Sequence, residues 1–310
     1  MDLLTNFHEP VLLEELRTAV LQKKSGVYFD GTLGFGGHAR SFLKDLGEDA
    51  IYIATDVDDY AFDYCKEQFQ NDNRVRIYKY NFVRIDAIAK IEGVAGFDGI
   101  IADLGVSSYQ LDEPSAGFTF RADAPIDMRM DKSLEKTAKD ILNQESEEYL
   151  VEIFFKYGEE KASRKIARKI IEKRSEAEFK STEDLMQIIR QIAPIPYQTK
   201  TAQRIFQALR IAVNEELHNL EMFLEKAIST LMPGGRIGVI SYHSLEDRIV
   251  KEVFRYQEKE CICPPGLPIC VCDKVRTLKV LTRRHVAASD AEISSNKRAR
   301  SAKLRIAERV

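Results

Sequence analysis

The sequence predicts a doubly wound α/β fold around a parallel sheet, and three observations support this prediction. In the first third of the chain, short β-rich runs alternate with segments of helical period, which is the pattern of βαβ units. A glycine-rich turn from Gly31 to Gly37 follows the first β-rich run directly. After Asp103 the alternation stops, the period becomes helical, and one more strand-like run begins only at Arg236.

Five runs are predicted as strands of one sheet because β-branched and aromatic residues are frequent in them and turn-forming residues lie beside them. The predicted strands cover residues 27–30, 51–56, 75–82, 99–103 and 236–241. The longest apolar runs are only as long as a strand, far short of the roughly 18 residues of a membrane span. We therefore expect no membrane segment.

The segment between the fourth and fifth strands has a helical period throughout. Apolar residues recur at i, i+3, i+4 and i+7 in two stretches, which are Leu150, Ile153, Phe154 and Tyr157, and then Leu185, Ile188, Ile189 and Ile192. Ser181 is a candidate N-cap for the second. A long amphipathic stretch follows from Ala202 to Leu224. We predict a Rossmann-like domain of residues 1–105 and 206–310, interrupted by an all-helical domain of residues 106–205.

The charge of the chain is small overall but unevenly distributed. The 310 residues carry 46 Lys and Arg against 49 Asp and Glu, a net charge of -3. Residues 276–310 hold ten basic and three acidic residues, and residues 161–174 hold seven basic residues and one Glu. Two positive segments on a mildly acidic chain predict a localised polyanion site. The N-terminus lacks the features of a signal peptide, so we expect a cytoplasmic location.

The glycine-rich turn and the acid after the second strand form a candidate cofactor site. Asp30 ends the first strand, the turn then runs to His38, and Asp56 follows where a carboxylate can accept hydrogen bonds from ribose hydroxyls. NAD and S-adenosylmethionine both use this geometry. An acid at the end of the first strand favours S-adenosylmethionine, so Asp30 is the discriminating residue. A tight turn that binds nothing is the alternative.

A second candidate site lies at the end of the fourth strand, at the edge where open α/β folds bind their ligands. Asp103 is followed there by a short loop that contains Ser107 and Ser108. A carboxylate at this position can accept a hydrogen bond from a substrate amine. A turn capped by Asp103 is the alternative interpretation.

Seven ordered sequence blocks resemble the signatures of one protein family. They begin at His8 (HEPVLL), Asp30 (DGTLGFGGH), Asp103 (DLGVSSYQLD), Gly117 (GFTF), Asp127 (DMRM), Phe206 (FQALRIAVNE) and Ser241 (SYHSLEDR). Together they resemble the bacterial ribosomal RNA small-subunit methyltransferase H family, also called MraW, from His8 to about Arg305. The chain departs from the family pattern at Ala39, Ala116 and Lys297, where Ser, Arg and Pro are usual.

The resemblance implies a class I methyltransferase fold with an all-helical insertion that binds the RNA substrate. It implies N4-methylation of a cytidine in the decoding region of 16S small-subunit ribosomal RNA, or of the assembling 30S subunit, with S-adenosylmethionine as the methyl donor. By their positions in the motifs, the cofactor-binding residues would be Gly37, His38, Ala39, Asp56, Phe82, Asp103 and Gln110.

The implied reaction needs a proton acceptor, because the lone pair of the cytosine amine is delocalised into the ring. We predict Asp103 as this acceptor, with Ser107 or Ser108 as helpers. His243 follows the fifth strand and is a further candidate, or a turn residue anchored by Glu246 or Asp247.

The RNA contacts are predicted from aromatic and basic residues. Tyr109, Phe118 and Phe120 are candidates to stack on the target base, or else they pack the inserted domain. The basic residues expected to follow the phosphates, unless they are only a solvated face, are Arg164, Arg168, Lys297, Arg298, Arg300, Lys303 and Arg305.

Four of the five cysteines lie close together as two Cys-x-Cys pairs, Cys261 with Cys263 and Cys270 with Cys272. Four thiolates can bind zinc, but this spacing is tighter than that of common zinc sites, so free thiols in a loop are the first interpretation.

Two other functions stay open from the sequence, and the oligomeric state is undetermined. The first is a nucleotide-dependent dehydrogenase with the same glycine loop, which Asp30 and the glycine spacing count against. The second is a non-catalytic RNA-binding assembly protein, which the presence of Asp103 and Gln110 counts against.

Overall fold

The computed structural model describes residues 10–106, 110, 113, 116–265 and 269–310. The chain divides into two units. The sheet unit comprises Met1–Gly105 and Leu217–Val310, and the helical unit comprises Val106–Glu216. The return to the sheet unit therefore falls after Glu216 and not at residue 206. The reason is that the helix before Glu216 packs its apolar residues into the core of the helical unit.

Within the described ranges, the sheet has seven strands in the order β3-β2-β1-β4-β5-β7-β6. The strands are β1 (Val27–Asp30), β2 (Ile51–Thr55), β3 (Val75–Tyr78), β4 (Phe97–Asp103), β5 (Leu231–Ser241), β6 (Leu278–Val280) and β7 (Lys303–Arg309). The first five are parallel, and β7 is antiparallel to both β5 and β6. The predicted α/β fold is confirmed, while β6 and β7 were not predicted.

Helices cover both faces of this sheet, as parallel strands require. In chain order the helices are α1 (Leu13–Val20), α2 (Gly37–Asp45), α3 (Asp59–Gln68), α4 (Ile85–Ile91), α5 (Ala138–Gln144), α6 (Glu147–Lys156), α7 (Ser163–Glu176), α8 (Thr182–Ile192), α9 (Gln198–Asn214), α10 (Glu216–Thr230), α11 (Ser244–Glu258) and α12 (Asp290–Ser295). Neighbours on β1 serve opposite faces, since Tyr28 packs in one core and Phe29 in the other. Among the described helices, none is long and apolar enough to cross a membrane.

The third strand is shorter than predicted and ends at Tyr78, not at Phe82. The side chain of Asn81 accepts a hydrogen bond from the Val83 N–H at 3.0 Å, which starts a 3₁₀ turn at Phe82–Arg84. Phe82 therefore lies in the turn that follows the strand. A local bond between a side chain and the backbone ended the strand earlier than the β-rich composition suggested.

The amphipathic stretch of residues 202–224 is two helices and not one. Glu215 lies between α9 and α10 in a left-handed conformation, with φ of 50°. Ile205 packs in the core of the helical unit, whereas Leu220 packs in a core of the sheet unit. A non-glycine residue is strained in this conformation, so packing on each side maintains the break.

The helical unit has its own apolar core, and the predicted helical periods supply it. Leu150 and Phe154 of α6 and Leu185 and Ile189 of α8 are fully buried there. Ser181 is the N-cap residue of α8, as predicted, and its N–H donates to Asp184 Oδ2 at 3.1 Å.

Phe118 and Phe120 also belong to the packing of the helical unit. Phe118 is 7% exposed within the core, and the ring of Phe120 meets that of Phe206 edge-on with centroids 5.3 Å apart. Both rings therefore pack within the inserted domain, which is the alternative stated above, and stacking of the half-buried Phe120 on an RNA base stays a prediction. Tyr109 lies outside the described residues.

Three of the family blocks meet inside the helical unit and hold one loop. A Cβ on Gly117 would lie 2.4 Å from the Pro125 carbonyl oxygen, so only glycine fits there. Asn214 accepts from the Met130 N–H and donates to the Met128 carbonyl, both at 2.8 Å. These blocks therefore have a structural role that the sequence did not distinguish from a functional one.

Candidate active site

The carboxyl ends of four parallel strands bring polar side chains to one edge of the sheet. Asp30 ends β1, Asp103 ends β4, and Asp56 directly follows β2. Tyr242 and His243 directly follow β5. Parallel strands place such ends together, so this edge is the candidate active site.

The glycine-rich loop after β1 leaves open space beside its backbone. Gly34 and Gly36 adopt left-handed conformations, with φ of 51° and 73°. A Cβ on Gly34 would meet no atom within 4 Å, whereas one on Gly37 would lie 3.1 Å from Pro10. Ala39 is fully buried in the core of the sheet unit. The loop therefore leaves open space at Gly34, where a ligand can approach the backbone closely.

Asp30 is the most buried carboxyl of the candidate site, at 1% exposure. Its Oδ1 accepts from the Thr32 N–H at 3.0 Å, and its Oδ2 accepts from the Tyr52 hydroxyl at 2.9 Å. Burial raises the pKa of Asp30 to about 6, against the opposing effects of His38 and these hydrogen bonds. Asp30 thus helps to fix the conformation of the glycine-rich loop by accepting the hydrogen bond from the Thr32 N–H.

Asp56 reaches back to the glycine-rich loop. Its Oδ2 accepts from the Gly34 N–H at 2.7 Å, and its Oδ1 accepts from the Asp58 N–H at 2.9 Å. Burial raises the pKa of Asp56 to about 6. Each carboxylate oxygen can accept a second hydrogen bond, so Asp56 can hold the loop and also receive ligand hydroxyls.

Asp103 is held in place by two partners that the sequence did not identify. Its N–H donates to Thr32 Oγ1 at 2.6 Å, and its Oδ1 accepts from the Tyr242 hydroxyl at 2.8 Å. Burial and the charge of Asp103 raise the pKa of Tyr242 well above its usual value, so this hydroxyl stays protonated and remains the donor. Asp103 is consequently a fixed hydrogen-bond acceptor.

His38 stands next to Asp103 and has no hydrogen-bond partner within the part of the chain that is described. The residue is 6% exposed, and both ring nitrogens are buried and unpaired. Its Nε2 lies 3.5 Å from Asp103 Oδ2. An unpaired buried polar group costs about 1–3 kcal/mol, so its presence here indicates a ligand that completes its bonding.

His243 occupies the N-cap position of α11 beside Glu246, which is 3% exposed. Its Nε2 lies 3.0 Å from Glu246 Oε1 without making a well-aligned hydrogen bond. Glu246 Oε2 accepts from the Tyr242 N–H at 2.9 Å. Asp247, the other predicted anchor, pairs instead with Arg305. Glu246 therefore orders the turn that presents Tyr242.

The remaining predicted residues are placed less closely. Phe82 packs edge-on against Phe223, with ring centroids 4.8 Å apart, and its Cβ lies beside Gly31. Gln110 belongs to the helical unit, where it is 7% exposed. Ser107 and Ser108 lie outside the described residues.

The partners of Asp30 and Asp103, namely Tyr52, Thr32 and Tyr242, were missed in the sequence. A signal existed for Tyr242, because it begins the turn after the fifth predicted strand, where its side chain can reach the end of β4. Tyr52 lies two residues before Ala54, which pairs with Asp30, so its side chain is on the same face of the sheet as Asp30.

The basic residues predicted to contact RNA divide into two classes. Arg305 is 6% exposed in β7, and its Nε lies 2.6 Å from Asp247 Oδ1. Lys303 lies 3.7 Å from the other oxygen of Asp247. The prediction that Arg305 follows phosphates was wrong, because strand pairing buries it. Lys297, Arg300, Arg164 and Arg168 are exposed, and Arg298 is half-buried.

Comparison with sequences of known proteins identifies one family along nearly the whole chain. Residues 5–310 match the MraW methylase family. A protein of Caldicellulosiruptor saccharolyticus named ribosomal RNA small subunit methyltransferase H is 44% identical, over 98% of this chain and 99% of its own. A protein of the same name from Brevibacillus brevis is 43% identical over 100% of both chains. A solved rRNA methylase structure from Streptococcus thermophilus covers 96% of this chain and 93% of its own, at 11% identity and a TM-score of 0.41.

Proposed function

The chain belongs to the MraW methylase family, and we propose that it methylates the N4 amine of a cytidine in the decoding region of 16S small-subunit ribosomal RNA. The family membership supports the reaction class, and the name shared by the relatives supports the substrate. The observation that carries the proposal is Asp103, an acceptor fixed by Tyr242 beside the unpaired ring of His38.

The methyl donor is S-adenosylmethionine, which when bound supplies an electrophilic methyl group on a sulfonium sulfur. The residues at the glycine-rich loop fit it, because Gly34 leaves space and Asp56 offers carboxylate oxygens to hydroxyls. We assign cofactor binding to Gly37, His38, Ala39, Asp56, Phe82 and Asp103. Gln110 enters this assignment from the family resemblance alone.

Asp103 has the geometry of the group that positions the amine and takes its proton. Tyr242 occupies Oδ1, so Oδ2 is the oxygen that faces His38 and can accept from a substrate N–H. With the donor bound, the amine nitrogen would take the methyl group as the sulfur–carbon bond breaks, and the amine would lose one proton to Asp103 Oδ2. A positioned base of this kind contributes about a hundredfold to ten-thousandfold to rate. Ser107, Ser108 and His243 stay secondary candidates.

The RNA surface is proposed to include an exposed basic face of the helical unit, which would be the substrate domain. On α7 and the turn before it, the exposed basic side chains are Lys161, Arg164, Lys165, Arg168 and Lys169. Lys173 and Arg174 are excluded because they are only half-buried and not exposed, with bonds from Lys173 to Asp184 and from Arg174 to backbone carbonyls. A phosphate backbone, in free RNA or in an assembling 30S subunit, matches such a face. The proposed partner implies a cytoplasmic location.

The decisive experiment incubates the purified chain with small ribosomal subunits that lack the modification and with labelled S-adenosylmethionine. We expect label in RNA, and nucleoside mass spectrometry should identify N4-methylcytidine at a decoding-region position. Label in another nucleoside would refute the proposed atom while keeping the reaction class. RNA binding without methyl transfer would support the assembly-protein alternative, and calorimetric binding of NAD in place of S-adenosylhomocysteine would support the dehydrogenase.

A further inference from the structure

Four cysteines converge in the connection between α11 and β6, well separated in sequence from the strand-end site. Cys261, Cys263, Cys270 and Cys272 form the pattern Cys-x-Cys, six intervening residues, Cys-x-Cys. All four sulfur atoms lie within 4.8 Å of one another, although no disulfide joins them. The sequence interpretation of free thiols in a loop does not explain why the chain folds back to bring them together.

Four of the six separations between the sulfur atoms are close to those of a tetrahedron around a metal ion, and all six are within 4.8 Å. The four are 3.5 Å for Cys261 and Cys270, 3.9 Å for Cys263 and Cys270, 3.6 Å for Cys270 and Cys272, and 3.7 Å for Cys261 and Cys272. Zinc–thiolate bonds of about 2.3 Å at tetrahedral angles place sulfurs about 3.8 Å apart. A disulfide requires about 2.05 Å, so these contacts belong to a different arrangement.

Backbone amides point at the same sulfurs. The N–H of Ile262 donates to Cys272 Sγ, that of Cys263 to Cys261 Sγ, and that of Val271 to Cys263 Sγ, each at 3.3 Å. Amide donors stabilise the thiolate form that a metal requires and fix the orientation of each ligand. The amides and the sulfurs thus form a built ligand set.

Among the described residues of this segment, apolar side chains do not pack into a core. The apolar residues beside the cysteines face solvent, since Ile262, Ile269 and Val271 are 45%, 75% and 76% exposed. These exposed residues supply little stability, and a structural metal is the usual source of stability in small motifs.

We propose that Cys261, Cys263, Cys270 and Cys272 bind a structural zinc ion. Zinc is preferred because four soft thiolates in tetrahedral array select it over magnesium, calcium or manganese. The four thiolates fill the coordination sphere, so the ion has no open position and no part in methyl transfer. Its role is to order the connection between α11 and β6.

The ends of this connection are anchored without the metal. The N–H of Thr277 donates to the Gln257 carbonyl at 3.0 Å, and the N–H of Val280 donates to Glu258 Oε1 at 2.8 Å. Removal of zinc should therefore loosen residues 261–265 and 269–272 and leave the sheet in place.

The test measures metal content of the full chain purified under reducing conditions with zinc in the medium. Wild type should contain one zinc ion per chain, and the Cys261→Ser/Cys272→Ser variant should contain at least tenfold less. Cys65→Ala, which changes the cysteine outside the cluster, should keep the zinc of wild type. Replacement of zinc by cobalt should give the visible absorption of a tetrahedral thiolate site in wild type and not in the double variant.

The folded state of the Cys261→Ser/Cys272→Ser variant is checked by its affinity for S-adenosylhomocysteine, which should change less than about twofold because these two cysteines lie between α11 and β6 and not in the cofactor loop. Wild type without zinc, or a double variant with as much zinc as wild type, would overturn the proposal. So would disulfides between these cysteines in protein kept under reducing conditions.

Discussion

Buried polar side chains of the helical unit differ in their hydrogen bonding from His38 of the sheet unit. In the helical unit, Asn214 and Glu160 are buried and have partners, since Asn214 bonds the loop at Met128 and Glu160 Oε1 accepts from the Ala162 N–H. In the sheet unit, the buried ring nitrogens of His38 make no hydrogen bond among the described residues. These two polar side chains of the helical unit complete its fold, whereas the ring of His38 is available to a ligand.

Two strand-end acids of the sheet unit and Asp127 of the helical unit also differ in the direction of their pKa shifts. Burial raises the pKa of Asp30 and Asp56 at the strand ends to about 6. In the helical unit, burial would raise the pKa of Asp127, but hydrogen bonds from Arg129 and Lys132 lower it. A carboxyl whose pKa is raised by folding destabilises the fold as pH rises through the raised pKa. A carboxyl whose pKa is lowered by folding stabilises the fold above its unfolded pKa, and this contribution is lost as pH falls through the lowered pKa. Near neutral pH the ionised forms of Asp30 and Asp56 therefore lower the free energy of unfolding. We attribute this cost to their function at the candidate site.

The largest effect on activity is expected from a variant of Asp103 in the sheet unit. Asp103→Asn should lower kcat about a hundredfold to ten-thousandfold, because the amide cannot take a proton, while RNA affinity changes little. Asp98→Asn, at the opposite end of β4, is the matched control and should keep kcat. Single-turnover methyl transfer measures both. Wild-type turnover in Asp103→Asn would show that another candidate, Ser107, Ser108 or His243, takes the proton.

Asp30 should give the sheet unit a pH dependence that is opposite to the one from Asp127. With a pKa of about 6 when folded and 3.8 in the unfolded chain, Asp30 stabilises the fold below pH 3.8 and loses this contribution as pH rises through 6. The loss is at most about 3 kcal/mol. Asp30→Asn should flatten the decline between pH 4 and 7 in urea unfolding, and Asp63→Asn, an exposed acid on α3, should not. An unchanged slope in Asp30→Asn would contradict the burial argument.

A variant of Asp56 distinguishes a role of this acid in cofactor binding from a role in folding. Asp56→Ala should weaken S-adenosylhomocysteine binding about tenfold to a hundredfold, the loss expected for charge-assisted hydrogen bonds of about 1.5–3 kcal/mol. Asp59→Ala, an exposed acid at the start of α3, should keep wild-type affinity. Isothermal titration calorimetry gives both values. Equal affinities in the two variants would remove Asp56 from the site.

The smallest effects should come from the exposed basic side chains. Arg164→Glu/Arg168→Glu in the helical unit should lower the salt dependence of RNA binding by about 0.7 in log-log slope for each phosphate that the variant no longer neutralises. Lys297→Glu/Arg300→Glu tests the sheet unit in the same way, and Lys66→Glu/Lys90→Glu is a charge-matched control. A larger change for the Lys297 pair would make the sheet unit the main RNA surface. Cofactor affinity should not change.

The sequence was sufficient for five strands and for the acids at their ends. Asp30, Asp56 and Asp103 each follow an apolar run, and the ends of parallel strands share one edge, so proximity followed from topology alone. Strand β7 was missed because Lys303, Arg305 and Arg309 dominate its composition and conceal the buried Leu304 and Ile306.

The hydrogen bonds within the site could not be predicted in the same way, because they depend on strand register. Tyr52 reaches Asp30 only because Ala54 pairs with Asp30, and Tyr242 reaches Asp103 only because Ile240 pairs with Asp103. A shift by one residue would turn each tyrosine to the opposite face. Local patterns in the sequence carry no information on this register.

The position of β7 sets an order on the folding of the chain during its synthesis. Among the described strands β7 is synthesised last, yet it pairs with β5 on one side and β6 on the other. Until it emerges from the ribosome, β5 has a bare edge and β6 has no neighbour, and bare edges invite aggregation. Residues 106–216 form a separate unit and can complete their core while translation continues. The helical unit therefore matures during synthesis, and the sheet closes only after the last strand is released.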